Sequence, residues 1–440
     1  MGRFRLAQGL VACAKMAAVG ARLTRLFPFH TPEARRLAIL FGVVYFAQGT
    51  WYLPDQPITI ALKDRGLNAG QVATFFFIAR FTWNVKPLYG LISDFVPLFG
   101  RRRQSWFWLT SGLAVVCGLA LVLLGGSYDY TSMLVMFTLM GLGLGFTDVL
   151  TDALMVESGK PLGLTGAFQS VQWAAISAAL VFSSEAGGHL AESRNLRATF
   201  AAATLFPLVS LAMSIFFVRE PVATGTEREA ARETWVAVRE ALRDRTVWVV
   251  AGFVFFWSFS PSAGTAMIFY QTNVLHFDQV YIGRLLAIAS AAGVVGALAY
   301  GPISRRMRLR PLINVSIGLA TAGTLLYLGY RDAVSAALID TVAGATAIFT
   351  QIAFLDLAAK ACPRRVEATF FALLMSVYNI GLGFSQWTGG YLYEWLGFTP
   401  LILISAAMTA AAWLLVPLVN VDRIEATARA AADGTAPPAA

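Results

Sequence analysis

Four ionisable side chains stand inside two otherwise apolar stretches: Arg80 and Lys86 in one, Asp148 and Asp152 in the other. A charge at the centre of a membrane helix costs at least ~2.5 to 3.5 kcal/mol on insertion scales, so such residues face an interior or a water-filled path. The cations can hold an anionic group; the carboxylates can accept from N–H donors or carry a proton. Asp148 and Asp152 are four residues apart, on one helical face and ~6 Å apart along the axis. Two carboxylates that close in a low dielectric should not both ionise readily, which suits a proton carrier.

The elements that must position these residues follow from composition. With 57% hydrophobic and 13% charged residues, 440 residues do not make one soluble core. Apolar runs of spanning length fall at 37–61, 71–92, 105–125, 131–156, 165–186, 198–218, 246–272, 281–302, 311–330, 334–359, 366–389 and 399–418. A helix satisfies its own backbone in lipid, so twelve transmembrane helices are expected, and the alternating short strands of a β-barrel do not appear in the sequence.

Basic residues set the orientation. With both termini cytosolic, 26 of the 34 Lys and Arg residues fall on the cytosolic side and 5 on the other. The formal charge of +9 is thereby explained by topology and anionic lipid, with no nucleic-acid partner. Residues 1–36 form a basic N-terminal tail expected to lie on the bilayer, with an organellar presequence as the alternative. The plasma (inner) membrane is the expected location, a plastid envelope the alternative. Cys13, Cys117 and Cys362 suggest neither a disulfide framework nor a metal cluster, and no cofactor is expected.

A charged stretch at 219–245 separates two six-span halves, 37–218 and 246–418, with a C-terminal tail at 419–440. The halves echo each other. Tyr89-Gly-Leu-Ile-Ser-Asp94 answers Tyr300-Gly-Pro-Ile-Ser-Arg305, Phe146-Thr-Asp148 answers Phe349-Thr-Gln351, and Trp51 and Pro54 answer Trp257 and Pro261. The offset of 211 carries Arg80 and Lys86 onto Ala291 and Ala297, so the charges are concentrated in the first half. With the Gly-x-x-x-Asp and basic cluster after span 2, this organisation resembles the major facilitator superfamily. The resemblance implies an all-α integral membrane fold of two pseudo-symmetric six-helix bundles, with spans 1, 4, 7 and 10 lining a central cavity.

Span 1 reads Gln48-Gly-Thr-Trp51-Tyr52-Leu-Pro54-Asp-Gln-Pro57 and span 7 reads Trp257-Ser-Phe-Ser-Pro261. Proline removes a backbone donor, so both helices should open near Pro54, Pro57 and Pro261, either as a binding site or as a structural kink. On a straight helix Lys86 is about 120° round from Arg80, so the two should not face one point unless a bend at Pro87 brings them together. Both cations either pair with Asp148 and Asp152 as a network or meet substrate or a proton directly. Asp340, Tyr378 and Asn379 could supply polar contacts on the opposite wall, and Arg284 a gate or surface pair. Asp94 beside Arg101, Arg102 and Arg103, together with Glu157 near Lys160, reads as a cytosolic gate or a topological anchor.

Lys86-Pro-Leu-Tyr-Gly-Leu-Ile-Ser-Asp-Phe-Val-Pro-Leu-Phe-Gly-Arg-Arg-Arg103, Asp148-Val-Leu-Thr-Asp152-Ala-Leu-Met-Val-Glu157 and Gly166-Ala-Phe-Gln-Ser170 closely resemble the folate-biopterin transporter family. Ser158 stands where a base is expected directly after the Glu. The resemblance implies a secondary carrier of folates or pterins, proton-coupled and working by alternating access as a monomer. In that reading Asp148 or Asp152 accepts from the pterin and the other carries the proton. Arg80 and Lys86 hold the glutamate tail, Gln48 joins the polar contacts, and Trp51, Tyr52 or Trp257 stack on the rings. A carrier of S-adenosylmethionine or an amino acid is the same-fold alternative. Gly143-Leu-Gly-Phe-Thr-Asp148 loosely resembles intramembrane aspartyl proteases, which need their second aspartate on a neighbouring helix; Asp152 is on the same one, so no enzyme is expected.

Overall fold

The computed structural model describes residues 29–101, 103–124, 129–218, 236, 239, 245–362 and 367–432. Span 1 is two helices, α1 (Pro32–Gly49) and α2 (Asp55–Asp64), joined through a 3-10 turn at Thr50–Tyr52. Span 2 is α3 (Ala69–Arg80), a 3-10 turn at Phe81–Val85 and α4 (Lys86–Phe95). The first half is completed by α5 (Gln104–Leu124), α6 (Tyr130–Leu162), α7 (Thr165–Glu192) and α8 (Leu196–Phe217). The second half holds α9 (Arg245–Phe259), α10 (Gly264–Asn273), α11 (Gln279–Arg306), α12 (Leu309–Leu326), α13 (Ala333–Ala361), α14 (Glu367–Leu396) and α15 (Phe398–Leu415). Among the described residues nine segments are long and apolar enough to cross a membrane. The segments 69–95, 165–192 and 367–396 stand at the places of the remaining three expected spans. Most of the 219–245 stretch and residues 1–28 and 433–440 lie outside the described residues.

The proline-marked breaks have different local causes. Pro54 precedes α2, whereas Pro57 is the third residue of α2 and breaks nothing, because the first N–H groups of a helix have no intrahelical acceptor. At Pro261 the chain leaves the helix between α9 and α10, and neighbouring helices take up the freed backbone groups. Ser405 donates its hydroxyl to the Pro261 carbonyl, Ser385 donates to the Ser260 carbonyl, and the Ser262 N–H donates to the Ser385 carbonyl at 3.1 Å. That satisfaction from adjacent helices permits an open backbone at membrane depth.

Each half has a core, and that of the first extends to Ala266, Phe269 and Leu401 of the second. In the first, Trp51, Phe75, Phe137 and Phe200 pack together; in the second, Phe253, Ile313, Ile317 and Phe354 do. A helix not expected from the sequence, α16 (Val421–Ala432), follows the last span. It buries Val421 and Ile424 in the second core, and a Glu425 carboxylate oxygen accepts from the first N–H of α12, at Leu309, at 3.1 Å. Arg310 and Asp422 add an ion pair at 2.7 Å.

Arg36 donates to the Phe217 carbonyl and Gln104 to the Val218 carbonyl, which puts these residues at one end, here the near end. The halves join at the opposite, far end. There α7 crosses α11 and α3 crosses α14, a pair of contacts related by the duplication. Both crossings are made by glycine. A Cβ on Gly283 would lie 2.8 Å from the Gly188 Cα, and one on Gly390 would lie 2.9 Å from the Ala69 carbonyl oxygen, so any side chain would force backbones apart. Around these crossings Gln56 donates to the Gln279 carbonyl at 2.8 Å, the Ala69 N–H to Glu394 at 2.8 Å and the Gln279 N–H to Glu192 at 3.0 Å. Arg284 bridges to Glu185 at 3.3 Å, as a contact between halves.

Candidate functional site

The 3-10 turn at Phe81–Val85 decides how the two cations stand. At three residues per turn, six residues make two full turns, so Lys86 returns to the face of Arg80, ~12 Å along the axis. The straight-helix expectation is thereby corrected. The turn packs against α14, and so the face it presents lies where the two halves meet.

Arg80 pairs with Asp55, the first residue of α2, and not with Asp148 or Asp152. Its guanidinium also donates to Gln386 of α14 at 3.4 Å and lies over the Phe76 and Tyr52 rings, 5.1 and 5.4 Å from their centroids. Lys86 pairs with Asp148 and sits 4.5 Å from the centre of the Trp83 ring. Tyr52, 47% exposed, is within electrostatic reach of both cations and of Tyr378 on the opposite half.

The two carboxylates of α6 have separate surroundings. With its amide turned to face the carboxylate, Gln48 of α1 donates to Asp148 at 2.7 Å. Asp152 accepts from the Tyr45 hydroxyl and from Gln172 of α7 at 3.0 Å. Asp148 is therefore held by a cation and an amide, Asp152 by two neutral donors.

Of the three aromatics expected to stack on a ligand, Trp51 is packed in the core: it is 4% exposed and stacked on Phe137 at 4.4 Å, with the Trp83 ring 6.5 Å away. Trp257 is half-buried and stacked on Phe354 of α13 at 3.8 Å. Tyr52 and Phe76 beside Arg80, and the half-buried Trp83 beside Lys86, are aromatics that flank the cations.

At the near end Glu157 pairs with Arg103 at 2.7 Å rather than with Lys160, which is exposed. Arg103 is buried and also donates to Ser93 at 2.7 Å, tying α4 and α6 together within one half. Arg101 donates to Gln104 and lies over Trp108. The Asp94 side chain and Arg102 lie outside the described residues. Replacing a buried guanidinium leaves its acceptors unmet, so Arg103→Ala is expected to destabilise the protein by ~1 to 3 kcal/mol, read as a lower melting temperature in detergent. An unchanged melting temperature would remove this anchor role.

Asp340 is engaged by tyrosines of its own half. It accepts from Tyr330 at 2.8 Å and Tyr327 at 3.1 Å, and Tyr330 in turn accepts from Gln271 at 2.6 Å. The second half is less bare of charge than the offset comparison implied: Asp356 on α13 accepts from Tyr300 at 2.9 Å and pairs with Lys360 at 2.7 Å. Asp55, Gln386, Tyr45 and Gln172 were missed as site residues. Asp55 alone carried a signal, an acid directly after the proline that breaks span 1.

The fold is similar to that of solved carriers. A mutant form of the nucleoside transporter NupG superposes with a TM-score of 0.69 at 11% identity, covering 88% of this chain and 99% of that one. The D-xylose-proton symporter superposes with 0.65 at 13% identity, covering 86% and 96%. The molecule is thus an all-helical membrane protein of the major-facilitator fold. The chain belongs to the BT1 family, whose model matches residues 52–427. It is 31% identical over 389 residues to the folate-biopterin transporter of Synechocystis sp., covering 84% of this chain and 77% of that one. It is 22% identical over 351 residues to folate transporter 1 of Plasmodium falciparum, covering 77% and 69%.

Proposed function

We propose that this protein is a secondary transporter that moves folates or pterins across a membrane by alternating access, coupled to protons. The observation that carries the reading is the face between the halves on which Arg80 and Lys86 rest against Asp55 and Asp148, in a chain of this family. A folate offers a pterin with N–H donors, an aromatic linker and a tail with two carboxylates. Arg80 and Lys86 hold the tail, Asp148 with Gln48 meets the pterin, Tyr52 and Trp83 flank the rings, and Asp152 carries the coupling proton. Far-end closure through the glycine crossings supports one state of the cycle, with the near end in the cytosol by the distribution of Lys and Arg. The carrier acts as a monomer in a lipid bilayer.

The test is uptake of labelled folate and pterin into a transport-deficient host, with a pH gradient imposed and then collapsed. Uptake that falls when the gradient collapses is expected. No accumulation of either compound would sink the substrate reading, and accumulation without pH dependence would sink the coupling. Arg80→Ala and Asp148→Asn are expected to lose uptake; wild-type rates in both would remove the site assignment.

A further inference from the structure

We infer that Asp55 is the displaceable counterion of Arg80: a substrate carboxylate takes its place on the guanidinium, and the released Asp55 binds a proton. The inference rests on the transport reading above and adds a residue and a proton to it.

The geometry supplies each step. Asp55 is the first residue after the break of span 1, so its backbone is anchored at one end of α2 while its side chain crosses to α3. One carboxylate oxygen sits on Arg80, and the other, Oδ1, is buried with no hydrogen-bond partner. Arg80 Nε is likewise buried without one. A bidentate guanidinium–carboxylate pair would satisfy the nitrogen, and the resident pair does not. The site therefore holds Arg80 by a contact that a better-placed carboxylate can replace. Oδ1 is free to take a proton without losing a bond.

Charge balance makes the proton obligatory. Among the described residues Arg80 is the charged group that faces Asp55. Helices α7, α8 and α10 also pack on or near α2, and their ionisable groups are engaged elsewhere or exposed: Glu192 accepts from the Gln279 N–H, Glu185 holds Arg284 and His189, Tyr270 donates to the Tyr330 carbonyl, Arg197 is exposed, and Asp64 at the end of α2 pairs with Arg194. Tyr52 and Gln386 reach Arg80, and neither brings a charge of its own that could neutralise a freed carboxylate. An unpaired carboxylate in this setting is strongly disfavoured, whereas a neutral acid is tolerated. Binding one ligand carboxylate to Arg80 thus draws one proton onto Asp55, and the site charge is unchanged. Lys86 and Asp148 form a second cation–carboxylate pair, in which Gln48 meets the other carboxylate oxygen, so the second carboxylate of a dianionic tail also has a cation to exchange onto.

The experiment measures protons taken up per bound ligand, by calorimetry of the detergent-purified full chain in buffers of differing ionisation enthalpy at neutral pH. Folate and biopterin are the two probes, because only folate carries the tail. Folate is expected to bring in about one to two protons more than biopterin, and Asp55→Asn to lower the folate value by about one while leaving the biopterin value unchanged. Equal uptake for the two ligands on the unmodified protein would overturn the inference without any variant. Binding by Asp55→Asn with undiminished proton uptake would overturn it as well. If neither probe binds the unmodified protein, the transport reading itself fails, a different result from binding without a proton difference.

Discussion

Lys86→Ala is expected to abolish folate uptake and to destabilise the protein, while the double variant Lys86→Ala/Asp148→Ala regains the stability and not the transport. Removing the ammonium leaves the largely buried Asp148 carboxylate with Gln48 alone. Breaking a buried pair from one side costs ~3 to 5 kcal/mol; the Lys86 side chain is 28% exposed, which argues for the lower end of that range. Removing both charges relieves that cost, because the carboxylate that needed a partner is gone. A structural pair and a substrate contact therefore part company in the double variant. Loss of about 3 kcal/mol of ligand interaction corresponds to an uptake rate lowered ~100-fold. Melting temperature and initial uptake rate are the two readouts. Full recovery of uptake in the double variant would make the pair structural and nothing more.

Gly283→Leu is expected to trap the carrier with its far end open. The contact between Gly283 and Gly188 leaves no room for a Cβ, and the atoms it would meet are backbone. Overpacking of this kind costs ~1 to 3 kcal/mol in the state that makes the contact, a shift of ~5- to 150-fold in the balance between states. A state that lacks the contact bears none of that cost. Spin labels at the exposed far-end positions Arg197→Cys and Arg331→Cys, one in each half, report the opening in a chain whose native cysteines are replaced. The expected result is a longer distance together with slower uptake. An unchanged distance would show that the crossing does not govern closure.

Much of the fold is legible in the sequence because lipid enforces its own rule: apolar runs of spanning length must be helices, and matching motifs in the two halves expose the duplication. Charges in such runs mark themselves, which is why Arg80, Lys86, Asp148 and Asp152 stand out. Their pairing is another matter. The 3-10 turn at Phe-Thr-Trp-Asn-Val contains neither glycine nor proline, although Pro87 just beyond it lacks the N–H that would continue the ladder, and the turn packs against α14, a helix from the far end of the chain. Trp51 shows the same limit. A tryptophan beside a helix break reads as a ring platform, and only the arrival of Phe137 from α6 turns it into core. Asp55 was hidden by its neighbours, since an acid after a helix-breaking proline also serves as an ordinary first-turn residue.

The Leu309 amide and the Glu425 carboxylate that meets it are 116 residues apart. During synthesis at ~5 to 20 residues per second, α12 must wait roughly 6 to 23 s before its partner leaves the ribosome. Through that interval the remaining helices of the second bundle are still being made, and the start of α12 waits unfinished. The first bundle faces no such delay from α16, so biogenesis runs in order, with the charged face of the first half ready before the half that closes over it.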